Sequence, residues 1–171
     1  MNNAIIGDGD IASVLHRVTP KGLTFFASGV SNSQELRESE YDREKKLLLS
    51  QPKDGHIVYF SSLCVYTATS RYAGHKREME LLVKHYFPRN TVVRLGNITW
   101  GDNPNTVINH FRRKITLNLP IEILEGYRYL ITEDELIYWM NLIPDWNTEL
   151  NITGRMIKIN DIVGELKAGI L

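Results

Sequence analysis

Apolar residues fall in short runs separated by turn-forming stretches, and the period of the runs changes along the chain. Ala4 to Gly7 is a brief continuous apolar run, and beyond Asp8-Gly9-Asp10 the positions Ile11, Val14, Leu15 and Val18 recur at helical spacing. This predicts a strand, a tight glycine turn and a helix. Thr19-Pro20-Lys21-Gly22 is a turn by composition, Leu23 to Ala27 a second buried strand, and Ser28 to Ser33 the loop at its end. From Gln34 to Gln51 the pattern is helical, with a charged first half and an apolar second half. His56 to Ser62 is continuous and β-branched or aromatic, as suits a central parallel strand. Tyr72 then opens a helix whose Met79, Leu82, Val83 and Tyr86 share a face, and Val92 to Leu95 forms the next strand.

The pattern changes after Trp100. The sequence predicts a loop over residues 101–105, a helix from Thr106 to Leu117, and short strands at Ile121–Leu124 and Arg128–Ile131. Thr132 to Glu135 reads as a capping box opening a helix that carries Leu136, Ile137, Met140 and Ile143. Met156–Ile159 is one more short strand, with Asn160 expected to cap the last helix.

Length and composition bound the function. At 171 residues and 43% hydrophobic content the chain buries one core, so a single domain over residues 1–171 is expected. Twenty basic and twenty acidic side chains cancel, which argues against a sequence-wide grip on nucleic acid or an anionic membrane. No apolar run approaches a membrane span, and the N-terminal stretch has no signal-peptide pattern, so a soluble cytoplasmic protein is the expectation. One cysteine, Cys64, leaves no internal disulfide and no cysteine-based metal site, and no metal is expected.

Chemistry gathers between His56 and Trp100. A strand ends in Ser61 and Ser62, a helix opens on Tyr72 with Lys76 one turn later, and a strand ends in Arg94 with Asn97 beyond it. Residues four apart share a helix face, so a phenol and an amine reach the same ligand. Gly7 and Gly9 let the backbone turn toward an anion at a helix start, and small Ala12 allows close packing. Each signal is short. Tyr41 and Lys45 repeat the Y-x-x-x-K spacing on a charged helix, where a solvated face is the expected reading. Taken singly, Ser61 and Ser62 read as strand-end caps, Tyr72 as an ordinary half-buried helix residue and Lys76 as a solvated one.

Taken in order, these motifs resemble the extended short-chain dehydrogenases/reductases, the NAD-dependent sugar-nucleotide epimerases and dehydratases. The features that carry the likeness are Gly7 and Gly9, S-S-x-x-V-Y at residues 61–66, Y-x-x-x-K at 72–76, R-x-x-N at 94–97 followed by Gly101, and Arg128-Tyr129-Leu130-Ile131 with Asp134-Glu135. The resemblance implies an α/β fold: a Rossmann-like parallel sheet flanked by helices, reduced in strand number, with a core over 1–101 and a small C-terminal substrate lobe over 102–171 that also completes the core. It implies catalysis by Ser62, Tyr72 and Lys76, with Lys76 lowering the phenol of Tyr72 toward a usable base. NAD or NADP is the implied cofactor, held by Gly7, Gly9, Asp10, Ile11, Ala27, Ser28, Gly29, Tyr72 and Lys76. A nucleotide-activated sugar is the implied substrate, held by Ser62, Asn97 and Arg128. A homodimer through the helices over 34–51 and 72–87 is implied too. The chain departs from the family between its first helix and the IVYFSS strand, where only one strand and one helix fit. Leu23 to Ser33 is similar to the family's fourth strand, so the second and third, which bind adenosine, are missing. The alternative is a reduced, non-catalytic member that binds a nucleotide or a protein partner.

Overall fold

A computed structural model describes residues 1–123 and 125–171. Five parallel strands form the main sheet in the order β1-β2-β3-β4-β7: β1 (Ala4–Ile6), β2 (Leu23–Phe26), β3 (His56–Ser62), β4 (Arg89–Leu95) and β7 (Thr148–Ile152). The α/β class and parallel sheet expected from the sequence are present. Successive side chains of β3 alternate between faces, as strand geometry requires. Val58 and Phe60 pack under α1 (Asp10–Leu15) and α5 (Glu133–Asn141), with Val14, Leu15, Leu136 and Met140. Ile57 and Tyr59 pack on the other face under α2 (Glu38–Leu49) and α3 (Arg71–Tyr86), with Leu48, Met79 and Val83. Burying each such side chain contributes about 1.5–3 kcal/mol, so β3 is held from both sides.

The chain leaves this sheet twice to build a lobe. Strands β5 (Asn97–Ile98), β6 (Tyr127–Ile131) and β8 (Arg155–Lys158) make a second, three-stranded sheet in the order β5-β6-β8. Helices α4 (Val107–Thr116) and α6 (Ile159–Lys167) cover it through Ile108, Phe111, Leu130, Ile157 and Ile162. The capping box at α5 is formed: Thr132 Oγ1 accepts from the Glu135 N–H at 3.3 Å, and Glu135 Oε2 accepts from the Thr132 N–H at 2.9 Å.

Several local expectations are corrected. Ile121 to Ile123 form no strand, and Leu124 lies outside the described residues. Asn160 sits inside α6, whose cap is Lys158 and has no side-chain hydrogen bond. Tyr41 is fully buried, its hydroxyl donating to the Glu35 carbonyl at 2.7 Å, so that copy of Y-x-x-x-K is not a solvated face. Its partner Lys45 pairs with Glu78 at 2.7 Å. Strand β7 was not anticipated, and it supplies the last strand of the main sheet.

Candidate active site

One cleft of about 1280 Å³ lies between the C-terminal ends of the main strands and the lobe. Gly9, Asp10, Ile11, Ala27, Ser28, Gly29, Ser62, Tyr72, Lys76, Asn97 and Arg128 all line it. Residues drawn from six separate stretches of sequence therefore meet at one place. Gly7 lies outside the lining. At φ +122° it passes so close to β2 that a Cβ would stand 2.6 Å from the Ala27 carbonyl oxygen. Its part is to let the first turn pack against the second strand.

The two serines divide by strand alternation. Both line the cleft, but Ser61 is buried and its hydroxyl donates inward to Glu80 Oε1 at 2.6 Å, while Ser62 is half-buried, its Oγ accepting from the Cys64 N–H at 3.3 Å. Ser62 thus also caps the short 3₁₀ turn Leu63–Tyr66 that carries the chain to α3. Glu80 in turn holds Arg94, which donates through Nε at 2.9 Å and also reaches Tyr66 at 2.7 Å. The Glu80 bonds, and after them the pair with Glu149 at 2.7 Å, hold the Arg94 guanidinium above its usual pKa.

Lys76 is committed as well. Its ammonium is 2% exposed and donates to Glu44 Oε1 at 3.2 Å and to the Tyr59 hydroxyl at 3.1 Å. Glu44 itself is fully buried and accepts from the Val30 N–H at 2.7 Å, from the Tyr59 hydroxyl at 2.8 Å and from His75 Nε2 at 2.9 Å. Burial alone would raise this carboxyl, but the Lys76 charge, the His75 ring and the Val30 N–H outweigh it and hold it at about 2. Lys76 Nζ stands 5.7 Å from the centre of the Tyr72 ring, with no hydrogen bond between the two among the described residues. Burial pushes the Tyr72 phenol up, and Cys64, Glu44 and Tyr41 add to the rise. The direction is opposite to the one expected from a neighbouring ammonium alone.

Sequence reasoning missed Glu44, Tyr59 and His75. Glu44 stands in the charged run RESEYDREKK, yet it lies three residues after Tyr41 and four before Leu48, on the buried face. That spacing was the available signal.

At the glycine turn the Asp10 carboxylate accepts from the Asn103 N–H at 3.0 Å and the Asp102 N–H at 3.2 Å, while the Asp10 carbonyl accepts from the Trp100 indole at 2.9 Å. The start of α1 is thereby tied to the loop leading into the lobe. On the lobe side Asn97 donates to the Tyr129 carbonyl at 3.2 Å, and Arg128 to the Tyr127 carbonyl at 2.9 Å. Beyond β1 the main sheet has no further strand among the described residues.

No protein-family model and no curated protein matches the chain. Solved structures do, and they give it the fold of the extended short-chain dehydrogenases/reductases. One is a UDP-N-acetylglucosamine 4-epimerase from Methanobrevibacter ruminantium in complex with UDP-N-acetylmuramic acid: TM-score 0.66, 20% identity, 92% of this chain and 62% of that one. Another is a UDP-glucuronic acid 4-epimerase from Bacillus cereus in complex with a fluorinated UDP-sugar and NAD: TM-score 0.70, 14% identity, 94% of this chain and 62% of that one. A third is the Bordetella bronchiseptica enzyme WbmG with NAD and UDP: TM-score 0.64, 12% identity, 96% of this chain and 62% of that one. The chain spans about three fifths of the length of these neighbours. Among the described residues, no helix is long and apolar enough to cross a membrane.

Proposed function

We propose that this chain binds a nucleotide-activated sugar in the cleft and that it does so as a reduced member of the fold, without turnover on a nicotinamide dinucleotide. The observation that carries the reading is the position of β1. It is the outermost strand, so among the described residues no sheet extends past the glycine turn to support an adenosine half. The residues present fit a dinucleotide poorly on two further counts. Asp8 and Asp10 put carboxylates at the turn where a pyrophosphate would lie, and Lys76 has two of its three protons engaged internally.

The other half of the cleft suits a sugar nucleotide. Ser62 and the Tyr72 hydroxyl offer hydrogen bonds to a polyol, Arg128 is the cation on the lobe wall, and Tyr127 and Tyr129 give it aromatic rings. UDP-sugars in the neighbours' own complexes support the class. A homodimer belongs to this reading, supported by Leu49, Leu81 and Tyr86, which leave apolar surface exposed on α2 and α3. Sedimentation velocity tests it.

One observation favours a second reading: Ser62, Tyr72 and Lys76 line one cleft in the order the resemblance implies. On that reading the chain is an NAD(P)-dependent epimerase, dehydratase or reductase acting on a nucleotide sugar. Calorimetry separates the two. Heat with UDP-glucose or UDP-N-acetylglucosamine and none with NAD or NADP is expected. Absence of heat with every UDP-sugar sinks the binding proposal, and NAD binding joined to turnover that Tyr72→Phe abolishes establishes the second reading.

A further inference from the structure

The cluster beneath the cleft floor has a composition that neither strand burial nor the resemblance accounts for. Glu44 of α2 is completely enclosed, yet it is met by four donors, and its partner Lys76 is enclosed with it. Enclosing an ion pair is costly unless each charge finds its counterpart and its remaining hydrogen-bonding positions are filled. Here the carboxylate is filled: Oε1 takes Tyr59 and Lys76, and Oε2 takes Val30 and His75. An ammonium group has three protons, and two of those on Lys76 go to Glu44 and Tyr59.

Tyr72 sees the consequence. An ammonium favours a neighbouring phenolate only as far as its charge is uncompensated, and a carboxylate 3.2 Å from the ammonium reduces the pair to a dipole. We infer that Glu44 is a resident counterion: it neutralises Lys76 with respect to Tyr72, so the cleft presents its ligand with a neutral phenol and not with a base. Glu44 touches no ligand in this scheme; it is a positioning residue acting through Lys76. The groups that face this pair are Tyr41 from α2, Tyr59 from β3, Tyr72 and His75 from α3, and Cys64 from the 3₁₀ turn. Lys76 is the ammonium that stands over the Tyr72 ring, so the balance at Tyr72 turns on Glu44.

Gly29 shows how closely the pair meets the cleft. A Cβ at Gly29 would stand 2.7 Å from Lys76 Nζ and 3.1 Å from Glu44 Oε1. Only a bare backbone leaves the remaining Lys76 proton approachable by a ligand hydroxyl.

The inference rests on the proposed ligand site, and its test is independent of ligand. Tyrosines labelled with ¹³C at Cζ are followed by NMR across alkaline pH, with Tyr72 assigned from Tyr72→Phe. In the native chain the Tyr72 resonance stays that of the protonated phenol past about pH 10, where a free tyrosine is half ionised. In Glu44→Gln the Lys76 charge is unmasked, and the Tyr72 midpoint falls by at least about one pH unit. In the charge-neutral double variant Glu44→Gln/Lys76→Met the midpoint returns to within about half a unit of the native value. Ionisation of Tyr72 below about pH 9 in the native chain overturns the inference, as does a Glu44→Gln curve that superimposes on the native one. If the single variant does not fold, the double variant decides, because it buries no lone charge. A rise of its Tyr72 midpoint by about one unit or more means that Lys76 was activating the phenol all along. Calorimetry with UDP-glucose on the same samples keeps the two ideas apart. Expected NMR curves without binding sink the proposed function and leave the role of Glu44 standing.

Discussion

Glu44 and Glu80 are carboxylates from neighbouring helices that face adjacent buried cations, and each governs a side chain that the sequence points to the cleft. Glu44 is held at about 2 against an ordinary value of 4.5. A carboxyl whose folded pKa lies below its unfolded one stabilises the fold fully above the unfolded value and loses that contribution as pH falls through the folded one. For Glu44 the window runs from about pH 4.5 down to about 2, and the contribution at neutral pH is about 3 kcal/mol. Urea midpoints measured through that window should fall steeply in the native chain and less steeply in Glu44→Gln. The serines make a sharper pair. Ser61→Ala removes the bond to Glu80 and should cost about 1–2 kcal/mol in urea unfolding, with UDP-sugar affinity changed less than in Ser62→Ala, because the Ser61 hydroxyl is spent on Glu80. Ser62→Ala should lower UDP-sugar affinity, with a smaller cost in urea from the lost cap of the 3₁₀ turn. The sequence showed which serine matched a family position, but the partner that occupies the other one, nineteen residues on in α3, becomes visible only when α3 packs on β3.

At the scale of elements, the first turn separates architecture from binding. Gly7 needs its positive φ and its close approach to Ala27, whereas a Cβ at Gly9 meets nothing within 4 Å. Gly7→Ala should therefore destabilise the chain by about 1–3 kcal/mol, read as a lower thermal midpoint. Gly9→Ala should cost less than about 1 kcal/mol and act on ligand affinity, since Gly9 lines the cleft. The elements legible in sequence were those whose own pattern suffices. β3 is apolar on both faces, and α5 carries its capping box in four consecutive residues. β7 is a weaker pattern: Thr148-Glu149-Leu150-Asn151-Ile152 lies between Pro144-Asp145 and Gly154 and alternates, but only Leu150 and Ile152 are strongly apolar in a run of five. Its strand identity comes from pairing with β4, Thr91 to Thr148 through Leu95 to Ile152, and not from local propensity. The charged half of α2 misled in the same way, because its composition outweighed the two buried positions, Tyr41 and Glu44.

For the molecule as a whole, the cleft exists only because the lobe is held against the sheet; the chain passes from sheet to lobe at two places and returns once, from β6 into α5. The first passage runs from β4 into β5, and the second from β7 into β8 through Thr153 and Gly154. At the second the backbones nearly touch: Gly154 has φ +64°, and a Cβ there would overlap the Leu130 carbonyl of β6. Leu130 belongs to the lobe core and neighbouring Ile131 to the main core, so β6 is the strand that links the two. A side chain at Gly154 must push β6 away from this crossing. The main sheet has its own two-faced core and does not depend on that contact, so Gly154→Ala should loosen the lobe without unfolding the whole. Hydrogen exchange should show faster exchange in α4, β6, β8 and α6 with protection in β3 and β4 retained, and calorimetry should show loss of UDP-sugar binding. Uniform loss of protection across both sheets would instead make the lobe and sheet a single cooperative unit. In that case the cleft would be a fixed groove, and the opposing walls carrying Tyr72 and Arg128 would have no freedom to close on a ligand.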